Sequence, residues 1–159
     1  MDDVQWLDEN ERDAWVRLVA VLELLPAGLD SQLRRDSGLT HFEYLCLVVL
    51  AESPDDRLRM TDLALRANAT PARLSRVVQR LVDRGLLERE RCSEDARSIF
   101  AVLTPEGRAA LEQAAPGHVR YVREQIFERL TEDEITFMRD LCDRLLGRLD
   151  PDATFGVGR

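Results

Sequence analysis

The 159-residue sequence predicts a mainly α-helical fold in which long terminal helices flank a short helix pair followed directly by a β-hairpin. Three observations lead there. Apolar residues recur at three- and four-residue spacing over most of the chain. Two runs, LLERER and SIFAVLT, break that period and read as strands. Threonines followed at once by proline, or three residues on by glutamate, mark helix starts throughout.

The bulk composition fits one soluble domain with helical extensions. Hydrophobic residues make up 45% and charged residues 33%, enough for a packed core and too apolar for disorder. The longest apolar run, Leu45 to Ala51, is far too short to span a bilayer. The N-terminal MDDVQWLDENERD is acidic and has no apolar signal region, so a cytoplasmic location is expected. Cys46, Cys92 and Cys142 are widely spaced and odd in number, which is not a disulfide framework.

Residues from about 8 to 35 read as a long helix carrying Trp15, Leu18, Val19, Leu22 and Leu25, with Pro26 expected to kink or divide it and Gly38 to end it. Thr40 and Glu43 form a capping box for a second helix that is apolar nearly all round. SPDDR is a loop and LRM a short strand. TDLALRAN is a short helix capped by Thr61, and Thr70 caps the next helix with Pro71 at its first position. After Gly85 come the two strands, joined by CSEDAR: a wing behind a helix pair. Thr104-Pro105-Glu106 opens a helix that Pro116-Gly117 should interrupt. Thr131 to Glu134 starts a last helix, with Ile135, Met138, Leu141, Leu145 and Leu149 on one face. The final ten residues read as a loose tail.

Charge is placed unevenly. The chain carries a formal net charge of -8, and all 22 of its basic residues are arginine. Between Arg57 and Arg97 there are 10 Arg against 6 Asp+Glu, while the remainder has 12 against 24. A basic middle between acidic flanks points to a local polyanion site. Within it, Arg73, Arg76, Arg80 and Arg84 fall in an arc of about 80° on the Thr70 helix. A helix N-terminus ordinarily favours Asp or Glu. Glu43, Asp62, Glu106 and Glu132 supply one elsewhere, yet the Thr70 helix opens with Arg73 and Arg76 and no acid. An anion is the partner that would suit it, and the Thr70 helix then reads as a reader of phosphate or base edges. The competing reading is a solvated, ion-paired face, with Arg80 and Arg84 paired to Asp83, Glu88 or a neighbouring helix.

From Leu39 to Leu111 the chain resembles MarR-family transcriptional regulators, winged helix-turn-helix homodimers. The most specific shared signature is Asp95-Ala96-Arg97 followed by a strand and Leu103-Thr104-Pro105-Glu106-Gly107. Helices before Arg35 and after Gly117 match in pattern and length. The resemblance implies a dimerisation region made of residues 1–38 and 105–159, around a DNA-binding lobe at 39–104. It implies that the Thr70 helix enters the major groove, and that Arg97 reaches the minor groove from the wing with Asp95 holding it. Narrow minor grooves favour arginine independently. The DNA-binding residues expected are therefore Thr61, Thr70, Ala72, Arg73, Ser75, Arg76, Arg80, Asp95 and Arg97. The partners are double-stranded DNA, a second copy of the chain and a small-molecule effector, with no membrane.

No nucleophile with a base and no glycine-rich phosphate loop is present, so neither catalysis nor a cofactor is expected. His41 and His118 are far apart in sequence and lack ligand-spaced partners, so no metal is expected. Cys92, beside Arg91, is the first candidate for oxidation in a cysteine- or metal-sensing alternative. Family members that sense peroxide use a cysteine in the first helix, and this chain has none there. Trp6, Trp15, Phe42, Tyr44 and Tyr121 could line an effector pocket or serve as plain core, and no ligand residue is named. A winged-helix protein-interaction module is the other alternative. It would show apolar residues on the exposed side of the Thr70 helix, where this chain has arginine and small polar residues.

Overall fold

A computed structural model describes residues 4–91 and 98–155. Helix α1 (Glu9–Ser37) starts in a capping box between Asp8 and Glu11 and ends at Gly38, whose φ of 68° is left-handed. It is not divided at Pro26. The proline withholds an N–H only from the carbonyl of Leu22, an exposed residue where water can replace it. Helix α2 (His41–Ala51) carries the expected Thr40–Glu43 box. A single 3₁₀ turn, Pro54–Asp56, leads into strand β1 (Arg57–Arg59).

Helix α3 spans Met60–Arg66 and α4 spans Pro71–Asp83. The expected Thr61 cap is corrected here. β1 runs straight into the helix, Arg59 is the N-cap, and Thr61 is the second helical residue, its hydroxyl 3.3 Å from Asp62 Oδ1. Thr70 does cap α4, accepting from the Arg73 N–H at 3.3 Å.

Strands β2 (Leu87–Arg91) and β3 (Ile99–Leu103) pair antiparallel, Leu87 opposite Leu103, and β1 completes a three-stranded sheet in the order β1-β3-β2. Helix α5 (Pro105–Gln125) runs on through Pro116, against expectation. Glu112, whose carbonyl the proline leaves unbonded, is exposed, and Gly117 lies close against Gln32 and Asp36 of α1. A 3₁₀ turn (Phe127–Arg129) and helix α6 (Glu132–Leu149), capped by Thr131 and Glu134, complete the order. The tail is tied as far as Phe155, since the Asp150 carboxylate accepts from the N–H groups of Thr154 and Phe155, each at 2.9 Å.

The core lies in the middle of the chain. Leu33, Leu39, Leu47, Leu50, Leu63, Leu74, Val78, Leu81 and Leu87 are buried together. Among the described residues α6 buries none, and α1 buries only Leu29, Gln32 and Leu33. Trp15, Leu18 and Leu22 of α1 and Phe137, Leu141 and Leu145 of α6 are left exposed. Cys46 is deep in the core, where burial and the nearby Glu43 carboxylate push its thiol up to about 12 against the opposing pull of Arg73. Such a thiol is a small hydrophobe, not a nucleophile. Cys142 is exposed, and Cys92 lies outside the described residues.

The Leu103-Thr104-Pro105-Glu106-Gly107 stretch joins sheet to helix. The Thr104 hydroxyl donates to the Gly85 carbonyl at 2.8 Å and accepts from the Gly107 N–H at 2.9 Å, while its own N–H reaches the Leu86 carbonyl at 3.3 Å. Glycine at 107 is a steric demand, because a Cβ there would stand 2.1 Å from the Leu86 carbonyl oxygen.

His41 and His118, far apart in sequence, are stacked with ring centroids 6.1 Å apart. Tyr44 lies 4.5 Å from the His118 ring. Asp30 of α1 accepts from the His41 backbone N–H at 2.9 Å, and the buried Gln32 amide oxygen faces His118 Nδ1 at 3.3 Å. Burial holds both imidazoles below the ordinary histidine value. Asp30 partly offsets this at His41, and the His41 charge lowers His118 further.

Two outcomes are expected. Gly107→Ala should destabilise the fold by about 1–3 kcal/mol, as overpacking against backbone does, even though alanine is worth about 1 kcal/mol more than glycine inside a helix. A raised denaturation midpoint would show that the Leu86 carbonyl yields. The histidine pair gives a pH effect of definite sign. Because both folded pKa values are depressed, the unfolded chain takes up protons first, so stability falls as pH drops through about 6.5 toward the lower folded values. Thermal melts between pH 7.5 and pH 5 should show this fall, and a His41→Gln/His118→Gln variant should flatten it; equal slopes would sever the link to this pair.

Candidate nucleic-acid interface

Helix α4 has a buried side of Leu74, Val77, Val78 and Leu81. Measured from the centre of that side at about 100° per residue, Ala72 and Asp83 point most nearly outward, with Arg76 and Gln79 about 30° to either side. Ser75 turns toward the hairpin. Arg73, Arg80 and Arg84 turn the other way, toward α2. One stripe of arginines therefore spans two environments.

On the α2 side, Glu43 is the organising group. Its side chain is only 5% exposed and is 3.2 Å from Arg80 Nε and 3.7 Å from Arg84 Nη1. The same carboxylate accepts from the Thr40 N–H at 2.9 Å. Arg84 also donates to the Gly38 carbonyl at 3.3 Å. Arg80 and Arg84 thus pair with a neighbouring helix and not with Asp83 or Glu88; Asp83 instead accepts from Gln79 at 2.8 Å. The Arg73 guanidinium lies 4.1 Å over the Phe42 ring. Among the described residues Arg76 makes only a long contact, 3.4 Å, to the Ala72 carbonyl of its own helix. Among the described residues neither Arg73 nor Arg76 has a carboxylate partner within ion-pair distance.

On the hairpin side, Arg89 of β2 donates to the Ser75 carbonyl at 2.9 Å and lies 3.4 Å from the Ser75 hydroxyl. A cleft of about 450 Å³ opens between this contact and the start of α3, lined by Arg59, Thr61, Pro71, Ser75, Arg89 and Ile99 among others. The structure thus brings Thr61 and Ser75 together and adds Arg59 and Arg89, which the sequence reading missed. Strand alternation was the available signal: Leu87, Arg89 and Arg91 share one face of β2, and Leu87 is buried. Arg57 is placed differently, stacked on Phe100 at 4.2 Å and paired with Glu90 at 3.4 Å.

Thr70, Ala72, Ser75 and Arg76 share the exposed start of α4 with Arg73, whereas Arg80 is tied back to Glu43. Asp95 and Arg97 lie outside the described residues. Among the described residues no three His, Cys, Asp or Glu side chains converge as a metal would require. What remains is a protruding helix start of positive character with exposed fork-shaped donors on both flanks. That geometry suits the phosphates and base edges of a duplex groove.

A family model described as "MarR family" matches residues 37–98. Over 112 residues the chain is 34% identical to the HTH-type transcriptional repressor YetL of Bacillus subtilis, a match covering 70% of this chain and 64% of that protein. It is 33% identical over 108 residues to the HTH-type transcriptional repressor Rv2887 of Mycobacterium tuberculosis, covering 68% and 76%. Among solved structures it resembles Sco3205, a MarR family transcriptional regulator from Streptomyces coelicolor in complex with DNA. Identity is 41%, coverage 99% and 98%, and the TM-score 0.89. AbsC from the same organism aligns at 34% identity over 92% and 98%, with a TM-score of 0.85.

The Glu43 arrangement has a measurable consequence. Glu43→Ala should cost about 1–3 kcal/mol, because it strands the Thr40 N–H and unpairs two guanidinium groups that remain part-solvated. Denaturant titration would read it, and an unchanged midpoint would mean that Glu43 does not hold α4 to α2.

Proposed function

This chain belongs to the MarR family, and we propose that it is a sequence-specific double-stranded DNA-binding transcriptional regulator, a repressor, acting as a cytoplasmic homodimer. The observation that carries this reading is the start of α4: a helix N-terminus with no acid in its first turn, flanked by Arg73 and Arg76. Anions are stabilised at such an end. That Sco3205, similar to this chain over 99% of its length, was solved in complex with DNA supports the DNA-binding reading.

The dimer reading rests on the terminal helices. Apolar faces of α1 and α6 stand exposed in the single chain, and a second copy would bury them. In this reading residues 1–38 and 105–159 build the dimer and residues 39–104 form the DNA-binding lobe. Two-fold symmetry then requires a pseudo-palindromic operator with half-site centres about 34–36 Å apart. Thr61, Thr70, Ala72, Ser75 and Arg76 serve the major-groove face, Arg80 holds the helix to Glu43 behind it, and Arg97, steadied by Asp95, enters the minor groove. A small-molecule effector would act by changing the relation between lobe and dimer helices.

The test combines mass, salt and one variant. Light scattering at low micromolar concentration should give twice 18.2 kDa. Affinity for duplexes selected from a random library should fall steeply with salt, as counterion release requires. Arg97→Ala should weaken binding most on A·T-rich flanks while leaving the thermal melt within about 0.5 kcal/mol of wild type. A monodisperse monomer, or binding indifferent to salt, would refute the reading.

A further inference from the structure

We propose that Arg73 is a ligand for an operator backbone phosphate, not a base reader, and that Phe42 of α2 is the residue that positions it. The proposal rests on the DNA-binding reading and divides the arginine stripe by task.

Three observations carry it. The first is direction. Arg73 leaves α4 on the side that faces α2, while Arg76 leaves close to the outermost line of the helix, about 60° away. Base-edge readout needs an arginine fork projected outward into the groove. The second is the stack. With its guanidinium 4.1 Å over the Phe42 ring, Arg73 has one flat face occupied. The N–H donors of a planar guanidinium lie at its edge, so they stay available, now directed along the α2 surface.

The third is the company Arg73 keeps. It borders a cleft of about 270 Å³ together with Arg34, Thr40, Phe42, Arg76 and Arg80. Arg34 is neutralised by Asp30 at 2.6 Å and Arg80 by Glu43 at 3.2 Å. Among the described residues Arg73 is the cation that the α2 platform holds without a carboxylate partner. A phosphodiester group brings one negative charge and acceptor oxygens, which is what this guanidinium edge lacks. Stacking also fixes the side chain beforehand, so less rotamer freedom is lost when the phosphate arrives.

The experiment measures affinity of the full-length chain for two duplexes over a salt series: one selected from a random library, one of random sequence. Arg73→Ala should weaken both by the same factor and lower the salt slope by about 2 per dimer, since each lost phosphate contact removes about 0.9. Its profile of base preference should match wild type, whereas Arg76→Ala should relax preference within each half-site. Phe42→Leu should reduce affinity about five- to twentyfold for the two protomers together, the scale of ordering two arginine side chains on binding instead of beforehand. Phe42→Tyr should restore it. Arg73→Lys keeps the charge without the planar stack and should match Phe42→Leu, which keeps the proposal testable if the leucine variant folds poorly. Thermal melts control for folding. A changed base preference in Arg73→Ala overturns the phosphate assignment. Wild-type affinity in both Phe42→Leu and Arg73→Lys overturns the positioning role. A wild-type chain that retains no duplex in the selection overturns the DNA-binding reading itself.

Discussion

The Glu43 carboxylate is the interaction on which the arrangement of this lobe depends. A buried carboxylate is costly unless its lone pairs are engaged, and here its partners come from two parts of the chain. The Thr40 N–H starts α2, and Arg80 and Arg84 come from the far half of α4. One group therefore caps one helix and docks another. The hydrophobic side of α4 places it against the core but leaves it free to slide or roll, because apolar contact is non-directional. The paired arginines supply the missing direction and fix the angle at which the opposite face of α4 meets solvent.

That fixed roll gives each residue of the arginine stripe its surroundings. Arg80 and Arg84 are consumed in docking, Arg73 is flattened on Phe42, and Arg76 stands outward. The hairpin is brought into the same frame from the other side. Arg89 reaches back to the Ser75 carbonyl, and Thr104 joins the end of β3 to Gly85 just behind α4. Gly107 lets the Leu86 carbonyl oxygen pack against the first turn of α5, where a Cβ would otherwise stand. The wing root and the start of α4 are thus linked by hydrogen bonds short in space and long in sequence.

Much of this was legible from local chemistry. Thr40–Glu43, Thr70-Pro71, Thr104-Pro105 and Thr131–Glu134 marked their helices because a cap is settled within four residues. Prolines misled where tertiary packing and solvent absorb the lost bond: Pro26 and Pro116 both lie inside continuous helices. Thr61 has the chemistry of a cap, but β1 ends at Arg59, which caps α3 at once and leaves Thr61 inside the first turn. The stacked His41 and His118 were out of reach, since 77 positions separate them and only the meeting of α2 with α5 joins them. The arginine stripe was visible, but its division was not. The division follows from where the arc of about 80° lies relative to the buried side of Leu74, Val77, Val78 and Leu81.

Helix α1 links the two halves of the proposed assembly. Its last third seats the lobe: Leu33 is in the core, Asp30 holds the backbone of His41, and Gln32 faces His118. Its first two-thirds carry Trp15, Leu18 and Leu22 on an exposed face suited to a second copy. Because the helix is unbroken at Pro26, a rotation at one end is passed to the other as a rigid body. The contact between Asp30 and the first residue of α2 then carries it to the platform where Phe42 and Glu43 hold α4. The spacing between two such α4 helices is therefore a property of how the α1 faces meet. In the proposed assembly an effector need not touch α4 to alter that spacing, because a change of angle where α1 meets α2 moves the platform on which Glu43 holds α4.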